Sequence, residues 1–257
     1  ESDEEFWEPK NFDLQFTGPV TLRNALSKSR NIITIKILQD IGVSYVVNYA
    51  KKLGISAPLN YDLSLALGSS GISLLELTRA YGAFANQGLL VEPIFITKVV
   101  GRDGTVLEEN QPRLKQVISP QTAYLVTNLL TSVVKEGTGR RARALKRPCA
   151  GKTGTTNDVR DAWFIGYTPD IIAGTWVGFD NQKPLGKNET GAVAASPIWV
   201  EFMQGVLEGR PKKTFSVPDG VVFMRVDAET GKPATSQSEK VSYECFKEES
   251  PLNPLWD

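Results

Sequence analysis

The chain has 257 residues, of which 41% are hydrophobic, enough to bury a substantial core in one large domain or two small ones. Its 29 acidic and 29 basic residues give zero net charge, so the sequence offers no basic face for nucleic acid. It contains no histidine, which excludes Ser-His-Asp and Cys-His catalytic groups and zinc sites built on histidine.

The composition also limits the chemistry and the compartment. Any general base that acts near neutral pH has to be a lysine, a carboxylate or a tyrosine. No apolar run approaches the ~18 residues of a membrane-spanning helix. The acidic opening "ESDEEFWEPK" has no secretory signal pattern and is typical of a cut fragment. Cys149 and Cys245 have no metal-binding spacing, and they are either two separate thiols or a long-range disulfide, which needs an oxidising compartment.

The first half of the chain is predicted to be mostly helical. Ile33, Ile37 and Ile41 recur every four residues, and Gly42 is suited to end that helix. The β-branched residues of the same segment also allow a strand. A second helix is predicted over 44–54, with its first residue, a serine, as the N-cap.

Two further local signals follow in the chain. Ser73 and Glu76 form a capping box at the start of a helix that closes near Gly88. The segment "PIFITKVVGRDGTVLEE" then has the alternation of two short strands, with a turn at Asp103-Gly104. The sequence therefore predicts a helix followed by a β-hairpin.

The second half of the chain begins with a long helix and continues with strands. Ser119 is the predicted N-cap, Pro120 occupies the first helical position, and Gly137 ends the helix. The runs "DAWFIGYT" and "IIAGTWVGF" have the length of strands and are joined by a Thr-Pro-Asp turn at 168–170. They are predicted to be adjacent antiparallel strands.

The last part of the chain is predicted to be a helix and an appendage. The segment "SPIWVEFMQGVLEG" repeats the Ser-Pro helix start and ends at Gly209. Residues 1–209 are assigned to one domain and 210–257 to a C-terminal appendage, with one small hairpin around "DAETGK". The predicted fold is α+β: helices first, then an antiparallel sheet, then a helix that packs on it.

The segment "KTGTT", Lys152 to Thr156, directly precedes the first of the paired strands. A plain interpretation is a strand edge that carries a surface lysine. A functional interpretation also exists, since Gly154 lets a ligand approach the backbone closely. Thr153 and Thr155 are two residues apart on a strand and project on the same side, so with the lysine they form a site for a carboxylate. A backbone N–H there could stabilise an oxyanion.

A second triplet, Ser29-Arg30-Asn31, stands far upstream and by itself is an ordinary polar entry to a helix. The combination with K-T-G changes the interpretation of this triplet. An S-x-N triplet followed by K-T-G is the pattern of the active-site serine enzymes that react with penicillin.

Over roughly residues 7 to 235 the chain resembles the transpeptidase domain of the bifunctional, class A penicillin-binding proteins. The resemblance rests on "NFDLQFTGPVTLRNALSKSRN", "LSLALGSSGISLLELTRAYGAFANQG", "VISPQTAYLVTNLLTSVVKEGTG", "GKTGTTNDVRDAWFIGYTPDIIAGTWVGFDN" and "GAVAASPIWVEFM". It implies the penicillin-binding-protein and serine β-lactamase-like transpeptidase fold. It also implies a D,D-transpeptidase that cross-links peptidoglycan stem peptides through an acyl-serine and is acylated by β-lactams.

The resemblance also implies roles for the residues of the two triplets. Ser29 would pass the proton to the leaving amine, and Asn31 would hydrogen-bond the backbone of the substrate. Lys152 would hold Ser29 and raise the positive potential. Thr153 and Thr155, together with Gly154 between them, would bind the terminal carboxylate, and the Thr155 N–H would form half of an oxyanion hole. Where the family pattern has aspartate this chain has arginine, whose side chain is expected to point away from the site. No cofactor or metal is implied.

One part of the family pattern is not found where it is expected. The nucleophile lies in S-x-x-K, several tens of residues before S-x-N, but only 28 residues precede Ser29 and none gives this motif. The one match in the chain is Ser132 to Lys135, near the C-terminal end of its predicted helix, where the helix dipole is unfavourable for an alkoxide. The sequence is therefore interpreted as a transpeptidase domain without its nucleophile segment, through truncation, cleavage or omission of that region.

Two functions remain open on this basis. The chain is either most of a D,D-transpeptidase, active when joined to its nucleophile segment, or a non-catalytic fragment that only binds D-Ala-D-Ala ends or β-lactams. A β-lactamase is disfavoured, because no candidate motif for a deacylation base is found. The resemblance implies a location at the outer face of the bacterial cytoplasmic membrane, with the membrane contacted only through an N-terminal anchor that is expected to be absent from this sequence.

Overall fold

A computed structural model describes residues 7–16 and 18–248 of the chain. Within that part, the α-helices are α1 (Leu22–Ser27), α2 (Asn31–Ile41), α3 (Val43–Lys52), α4 (Leu74–Ala85), α5 (Pro120–Lys135) and α6 (Ser196–Val206). The β-strands are β1 (Leu89–Val91), β2 (Lys98–Val100), β3 (Val106–Glu109), β4 (Leu114–Gln116), β5 (Ala150–Thr155), β6 (Asp161–Tyr167), β7 (Ile172–Gly178), β8 (Val221–Asp227) and β9 (Val241–Lys247).

Several helix starts and turns are confirmed because their signals are local. The Ser73 hydroxyl accepts from the Glu76 N–H at the start of α4, and Ser119 caps α5 with Pro120 in its first turn. β2 and β3 pair in an antiparallel hairpin, and Gly104 in its turn has a φ of 86°, a conformation that glycine adopts without strain. The helix prediction for α2 is also confirmed, and its strand alternative is wrong.

Two of the predicted helix caps are wrong. Ser44 does not cap α3: Gly42, with a φ of 85°, ends α2 and begins α3, which leaves no room for a separate cap. Ser196 does not cap α6, because a turn of π-helix over Gly191–Ala195 runs straight into that helix and the Ser196 hydroxyl donates to the Ala192 carbonyl.

The face of α2 that is buried also differs from the repeating isoleucines. Ile35 and Leu38 are buried, whereas Ile37 and Ile41 are exposed. The four-residue repeat correctly indicated a helix, but the neighbouring elements decide which side of that helix is covered.

The central element is a three-stranded antiparallel sheet in the order β5, β6, β7. The prediction that the two strand-like runs, now β6 and β7, are adjacent antiparallel strands is confirmed. Lys152 pairs with Ile165, and Thr153 pairs with Phe164. Since side chains alternate along a strand, Lys152 and Ile165 lie on one face of the sheet and Thr153 and Phe164 on the other. β5 is an edge strand, so its outer side is open to the elements that precede it in the chain.

Helix α6 covers the face of the sheet that carries Phe164. Trp199 is fully buried, and its ring lies 5.0 Å from that of Phe164 between centroids. The Trp199 indole N–H donates to the Gly166 carbonyl of β6 and to the Ala173 carbonyl of β7. This packing confirms the prediction that the last helix lies on the sheet.

Helices α4 and α5 cover the opposite face of the sheet. Leu130 and Val133 of α5 pack against Tyr167, and the Tyr167 and Thr127 hydroxyls lie 2.9 Å apart. An added Cβ at Gly174 of β7 would lie 2.2 Å from the Thr78 hydroxyl oxygen of α4, so that helix approaches the strand closely. The sheet is thus enclosed from both sides, which gives an α+β fold of three layers.

The C-terminal part contains a hairpin, but it is larger than the sequence predicted. β8 pairs with β9 from Asp227 opposite Val241, and the connection between them makes a tight turn around "DAETGK". In that turn the Asp227 carboxylate accepts from the N–H groups of Glu229 and Thr230. The domain boundary after residue 209 stays a prediction.

The two cysteines are free thiols, both buried: Cys149 in the core beside α6 and Cys245 in β9. The disulfide alternative is therefore not realised in this fold. Among the residues described above, none of the helices combines the length and the apolar character needed to cross a membrane.

Candidate active site

The structure brings the two triplets into direct contact. The Lys152 ammonium, on the edge strand β5, donates to the Ser29 hydroxyl at 2.9 Å, although the two residues are 123 positions apart in the chain. Ser29 lies in the short connection between α1 and α2 and has a φ of 55°, which is unusual for a residue other than glycine. The Ser29 N–H donates to the Leu26 carbonyl and fixes this turn.

The Lys152 ammonium is partly shielded from water. It also donates to the Thr153 carbonyl at 2.9 Å, so two neutral oxygens replace part of its hydration. Burial lowers the pKa of Lys152 to about 8, because loss of water disfavours the charged form. At neutral pH the group is still mostly an ammonium, but it can lose its proton at little cost.

The two threonine hydroxyls of β5 lie on the side of the strand opposite to the lysine. The Thr153 and Thr138 hydroxyl oxygens are 2.7 Å apart. The Thr155 hydroxyl accepts from the Gly191 N–H at 3.0 Å. Both hydroxyls are therefore fixed by neighbours within the protein, and each keeps part of its hydrogen-bonding capacity for a further partner.

The middle of the K-T-G triplet is closely packed. An added Cβ at Gly154 would lie 3.1 Å from the Trp163 Cβ on the next strand. An added Cβ at Gly191 would lie 2.4 Å from the Gly154 carbonyl oxygen, so the turn before α6 sits directly against β5. Glycine at both positions lets these three backbone segments come together.

The other members of the S-x-N triplet have partners outside the K-T-G strand. The Asn31 side-chain amide donates to the Lys10 carbonyl at 2.8 Å. The Arg30 guanidinium pairs with the Asp13 carboxylate at 2.6 Å. That pairing agrees with the expectation that the arginine is not turned toward the site, whereas the substrate contact expected of Asn31 stays a prediction.

A cavity of about 540 Å³ lies between the sheet and α4, and Lys152, Thr153, Gly154 and Thr155 are among the residues that line it. Its apolar walls come mainly from two strands and one helix, with Trp163, Trp176, Leu77 and Tyr81. Mostly apolar walls with a few convergent polar groups are typical of a ligand site.

The S-x-x-K match inside the chain is part of the fold rather than of this site. Ser132 is buried, and its hydroxyl accepts from the Arg23 guanidinium at 2.6 Å. Arg23 also forms an ion pair with Glu244 of β9. The structure therefore supports the rejection of Ser132 as a nucleophile.

Two contributors to the site were not predicted from the sequence. Thr138 and Gly191 contact the K-T-G strand from two different elements, and although both lie in segments that carry the family resemblance, neither was assigned to the site. The "GTG" at 137–139 marks a turn after a helix, but nothing in its composition indicates which strand the turn will meet.

The family model and the relatives that match this chain are all penicillin-binding proteins. Residues 2–204 match the family model described as the penicillin binding protein transpeptidase domain. Penicillin-binding protein 1A of Pseudomonas aeruginosa is 36% identical over 95% of this chain and 36% of that protein. Penicillin-binding protein 1A of Aquifex aeolicus is 42% identical over 87% of this chain and 31% of that protein.

Solved structures agree with these relatives. The crystal structure of penicillin-binding protein 1A from Haemophilus influenzae superimposes with a TM-score of 0.88, at 28% identity, over 95% of this chain and 42% of that one. The structure of PonA1 from Mycobacterium tuberculosis in complex with penicillin V gives a TM-score of 0.72, at 25% identity, over 87% of this chain and 64% of that one.

The chain spans about a third of the length of the curated relatives it matches. The family model covers most of the chain, and the α+β architecture is that of solved penicillin-binding proteins. The chain therefore belongs to the penicillin-binding protein transpeptidase domain family, and its relatives are class A proteins of the 1A type.

Proposed function

We propose that this chain is the D,D-transpeptidase part of a peptidoglycan synthase. It would cross-link stem peptides through an acyl-serine intermediate and would be acylated by β-lactams. The observation that carries the proposal is the 2.9 Å contact between the Ser29 hydroxyl and the ammonium of Lys152, a residue that lines an apolar cavity. This contact joins two motifs that act together in penicillin-reactive serine enzymes.

In the proposed reaction, a serine hydroxyl oxygen forms a bond to the penultimate D-Ala carbonyl carbon of a stem peptide. The carbon–nitrogen bond to the terminal D-Ala breaks, and the departing amine needs one proton. The attacking hydroxyl loses one proton, and Ser29, whose hydroxyl is held by Lys152, would pass that proton on to the departing amine. An amine of a neighbouring stem peptide would then attack the ester and release the serine. A β-lactam would form the same ester without an easy second step.

The remaining site residues would bind the substrate. Thr153 and Thr155 would hold the terminal carboxylate, Asn31 would bind the peptide backbone, and the Thr155 N–H would donate to the oxyanion. The positive charge of Lys152 would favour both the carboxylate and the oxyanion, since a fixed ammonium in a poorly hydrated site interacts strongly with developing negative charge. The proposal assigns no cofactor and no metal.

The proposal places the attacking hydroxyl outside residues 1–257. Ser132 is engaged by Arg23 inside the fold, and the proposal assigns Ser29 to proton transfer rather than to attack. In the second candidate function, the chain by itself is a module that binds D-Ala-D-Ala ends or β-lactams without acylation.

Intact-mass spectrometry after incubation with a labelled penicillin distinguishes these functions. We expect no stoichiometric adduct on the 257-residue chain and a single adduct on the complete gene product that contains it. Penicillin that has been hydrolysed beforehand is the control for non-specific labelling. A stoichiometric adduct on the isolated chain would show that its own sequence contains the nucleophile, and failure to label the complete product would remove the proposed function.

The compartment and partners follow from the same proposal. Stem peptides lie outside the cytoplasmic membrane, so the enzyme would work at the outer face of that membrane. Stem peptides and β-lactams are the proposed ligands.

A further inference from the structure

The turn that follows α5 touches both halves of the candidate site. The Thr138 N–H donates to the Ser27 carbonyl at 3.0 Å, two residues before Ser29. The Thr138 hydroxyl lies 2.7 Å from the Thr153 hydroxyl on β5. A single residue thus connects the S-x-N turn to the K-T-G strand.

This turn has little freedom to move. An added Cβ at Gly137 would lie 2.2 Å from the Ser27 carbonyl oxygen, so the two backbones are in close contact. Ser27 is buried, and the Gly137 and Gly139 N–H groups both donate to the Val133 carbonyl of α5. The position of the Thr138 hydroxyl is therefore set by a long helix and by the buried end of α1.

The pair of hydroxyls has two possible hydrogen-bond directions. Each hydroxyl carries one proton and can accept from others. If Thr138 donates to Thr153, the Thr153 proton is free to point toward a ligand. If Thr153 donates to Thr138, it has no proton left for a ligand.

A carboxylate only accepts hydrogen bonds, so it favours the first of these directions. A hydroxyl that accepts one bond also becomes a better donor in the next, and bonds to charged groups are the stronger ones. A ligand that ends in a carboxamide or an ester lacks that charge and gains less from the same arrangement.

We propose that Thr138 is a positioning residue that directs the Thr153 hydroxyl proton toward the carboxylate of the substrate. Thr138 thereby contributes to the preference of the site for ligands that end in a free carboxylate. This inference rests on the proposed function, because it requires Thr153 to meet the carboxylate of a D-Ala-D-Ala end or of a penicillin.

The test compares Thr138→Val, which removes the hydroxyl at similar size, with Thr138→Ser, which keeps it. In the complete gene product, the second-order rate of acylation is measured with benzylpenicillin and with its methyl ester. For Thr138→Val we expect the preference for the free acid to fall about tenfold, the typical worth of a hydrogen bond to a charged group. Thr138→Ser is expected to restore most of it.

A purely structural role of Thr138 would affect both ligands alike, so the ratio separates the two possibilities. Thermal unfolding of both variants is recorded beside the rates. An unchanged ratio in Thr138→Val, or an equal loss for acid and ester, would overturn the inference while leaving the transpeptidase function in place.

A binding measurement on the 257-residue chain tests the inference independently of acylation. Amide shifts of Thr153 to Thr155 are followed by NMR during titration with N-acetyl-D-Ala-D-Ala and with its C-terminal amide. We expect the wild type and Thr138→Ser to prefer the free acid and Thr138→Val to lose that preference. If the wild type does not distinguish the two peptides, the inference is wrong even where penicillin labels the complete product, and absence of labelling there counts against the proposed function.

Discussion

The sheet β5–β7 and the hairpin β8–β9 are both antiparallel, but they are held in the molecule in different ways. The three-stranded sheet is covered on one face by α6 and on the other by α4 and α5, with Trp199 and Phe164 fully buried. In the hairpin only Val226 and Cys245 are buried among the residues of its two strands. The hairpin is attached instead by specific side-chain contacts to the outside of the helices.

Those contacts include an ion pair, side-chain hydrogen bonds and one aromatic pair. The Arg23 guanidinium of α1 binds the Glu244 carboxylate of β9 and also donates to the Asn128 side chain and to Ser132 of α5. The Phe223 ring meets the Tyr124 ring edge to face, with centroids 6.3 Å apart. The hairpin therefore supports α1 and α5 from outside.

The difference explains where chemistry can be located. The lowered pKa of Lys152 requires burial, and only the enclosed sheet provides it. The exposed hairpin cannot change the pKa of a lysine in this way. Substitutions in the sheet should therefore change the acylation rate at some positions and the free energy of unfolding at others. Substitutions in the hairpin should change the free energy of unfolding alone.

The largest effect is expected from removal of the site lysine. In the complete gene product, Lys152→Ala should reduce the acylation rate by at least about a thousandfold, because both the hold on Ser29 and the positive charge are lost. The fold should survive, since this ammonium is costly to bury. Acylation is measured with a labelled penicillin and folding by circular dichroism. Unchanged labelling would remove Lys152 from the mechanism.

The next effect concerns the core that encloses the sheet. Trp199→Ala should lower the free energy of unfolding by about 3–5 kcal/mol, because it leaves a cavity against Phe164 and frees two backbone carbonyls. The measurement is denaturant unfolding of the chain. Phe202→Ala, on the exposed side of the same helix, is the matched control and should change stability by no more than about 0.5 kcal/mol. Equal losses for the two variants would contradict the layered packing.

The acylation rate and the free energy of unfolding should depend on pH in different ways, although both dependences come from Lys152. The pKa of Lys152 is lowered to about 8, so its positive charge is present below that pH and is lost above it. If the ammonium is the active form, the acylation rate should fall by about tenfold per pH unit above 8. A rate that rises through pH 8 would instead assign the neutral amine as a base.

Stability should change in the opposite sense over this range. Between pH 8 and the ordinary pKa of 10.5 the unfolded chain binds the Lys152 proton and the folded chain does not, so the free energy of unfolding rises with pH. Lys152→Met serves as the control, because the difference between wild type and variant isolates this one group from the tyrosines and other lysines. A difference that does not depend on pH would show that the pKa is not lowered.

The smallest effects are expected in the hairpin. Glu244→Gln should lower the free energy of unfolding by about 1–3 kcal/mol, since it weakens the charged partner of Arg23 in a mostly buried position. Glu229→Gln removes one member of an exposed ion pair with Lys240 and should cost less than about 0.5 kcal/mol. Both variants should keep acylation within about twofold of wild type. Loss of acylation in Glu244→Gln at unchanged stability would show that the hairpin acts on the site directly.

Local sequence signals accounted for much of the fold. Ser119 with Pro120 defined the start of α5, and Ser73 defined the start of α4, because an N-cap satisfies N–H groups within its own turn. The Asp103-Gly104 turn and the Thr-Pro-Asp turn at 168–170 located two strand pairs, because a turn is also set by residues that are adjacent in the chain. The resemblance of the chain added the α+β transpeptidase fold and the choice of the two triplets.

Where neighbouring elements compete, the same signals failed. Ser44 and Ser196 look like caps, but a single glycine between α2 and α3 and a π turn before α6 take that position. The isoleucine repeat in α2 indicated a helix and not its buried side, because the neighbours that cover that side lie elsewhere in the chain.

The sequence by itself determined the helices, the turns and the residue types of the site, since each depends on groups a few positions apart. The family resemblance implied that Lys152 holds Ser29, but only the tertiary structure decided the 2.9 Å distance between them and the contact of Thr138 with Thr153. Their separation in the chain is closed by the packing of α5 against the sheet, and the burial that lowers the pKa of Lys152 exists only once those layers are assembled. Short sequence motifs thus identify the residues of such a site, whereas packing sets the distances between them and the pKa of the lysine.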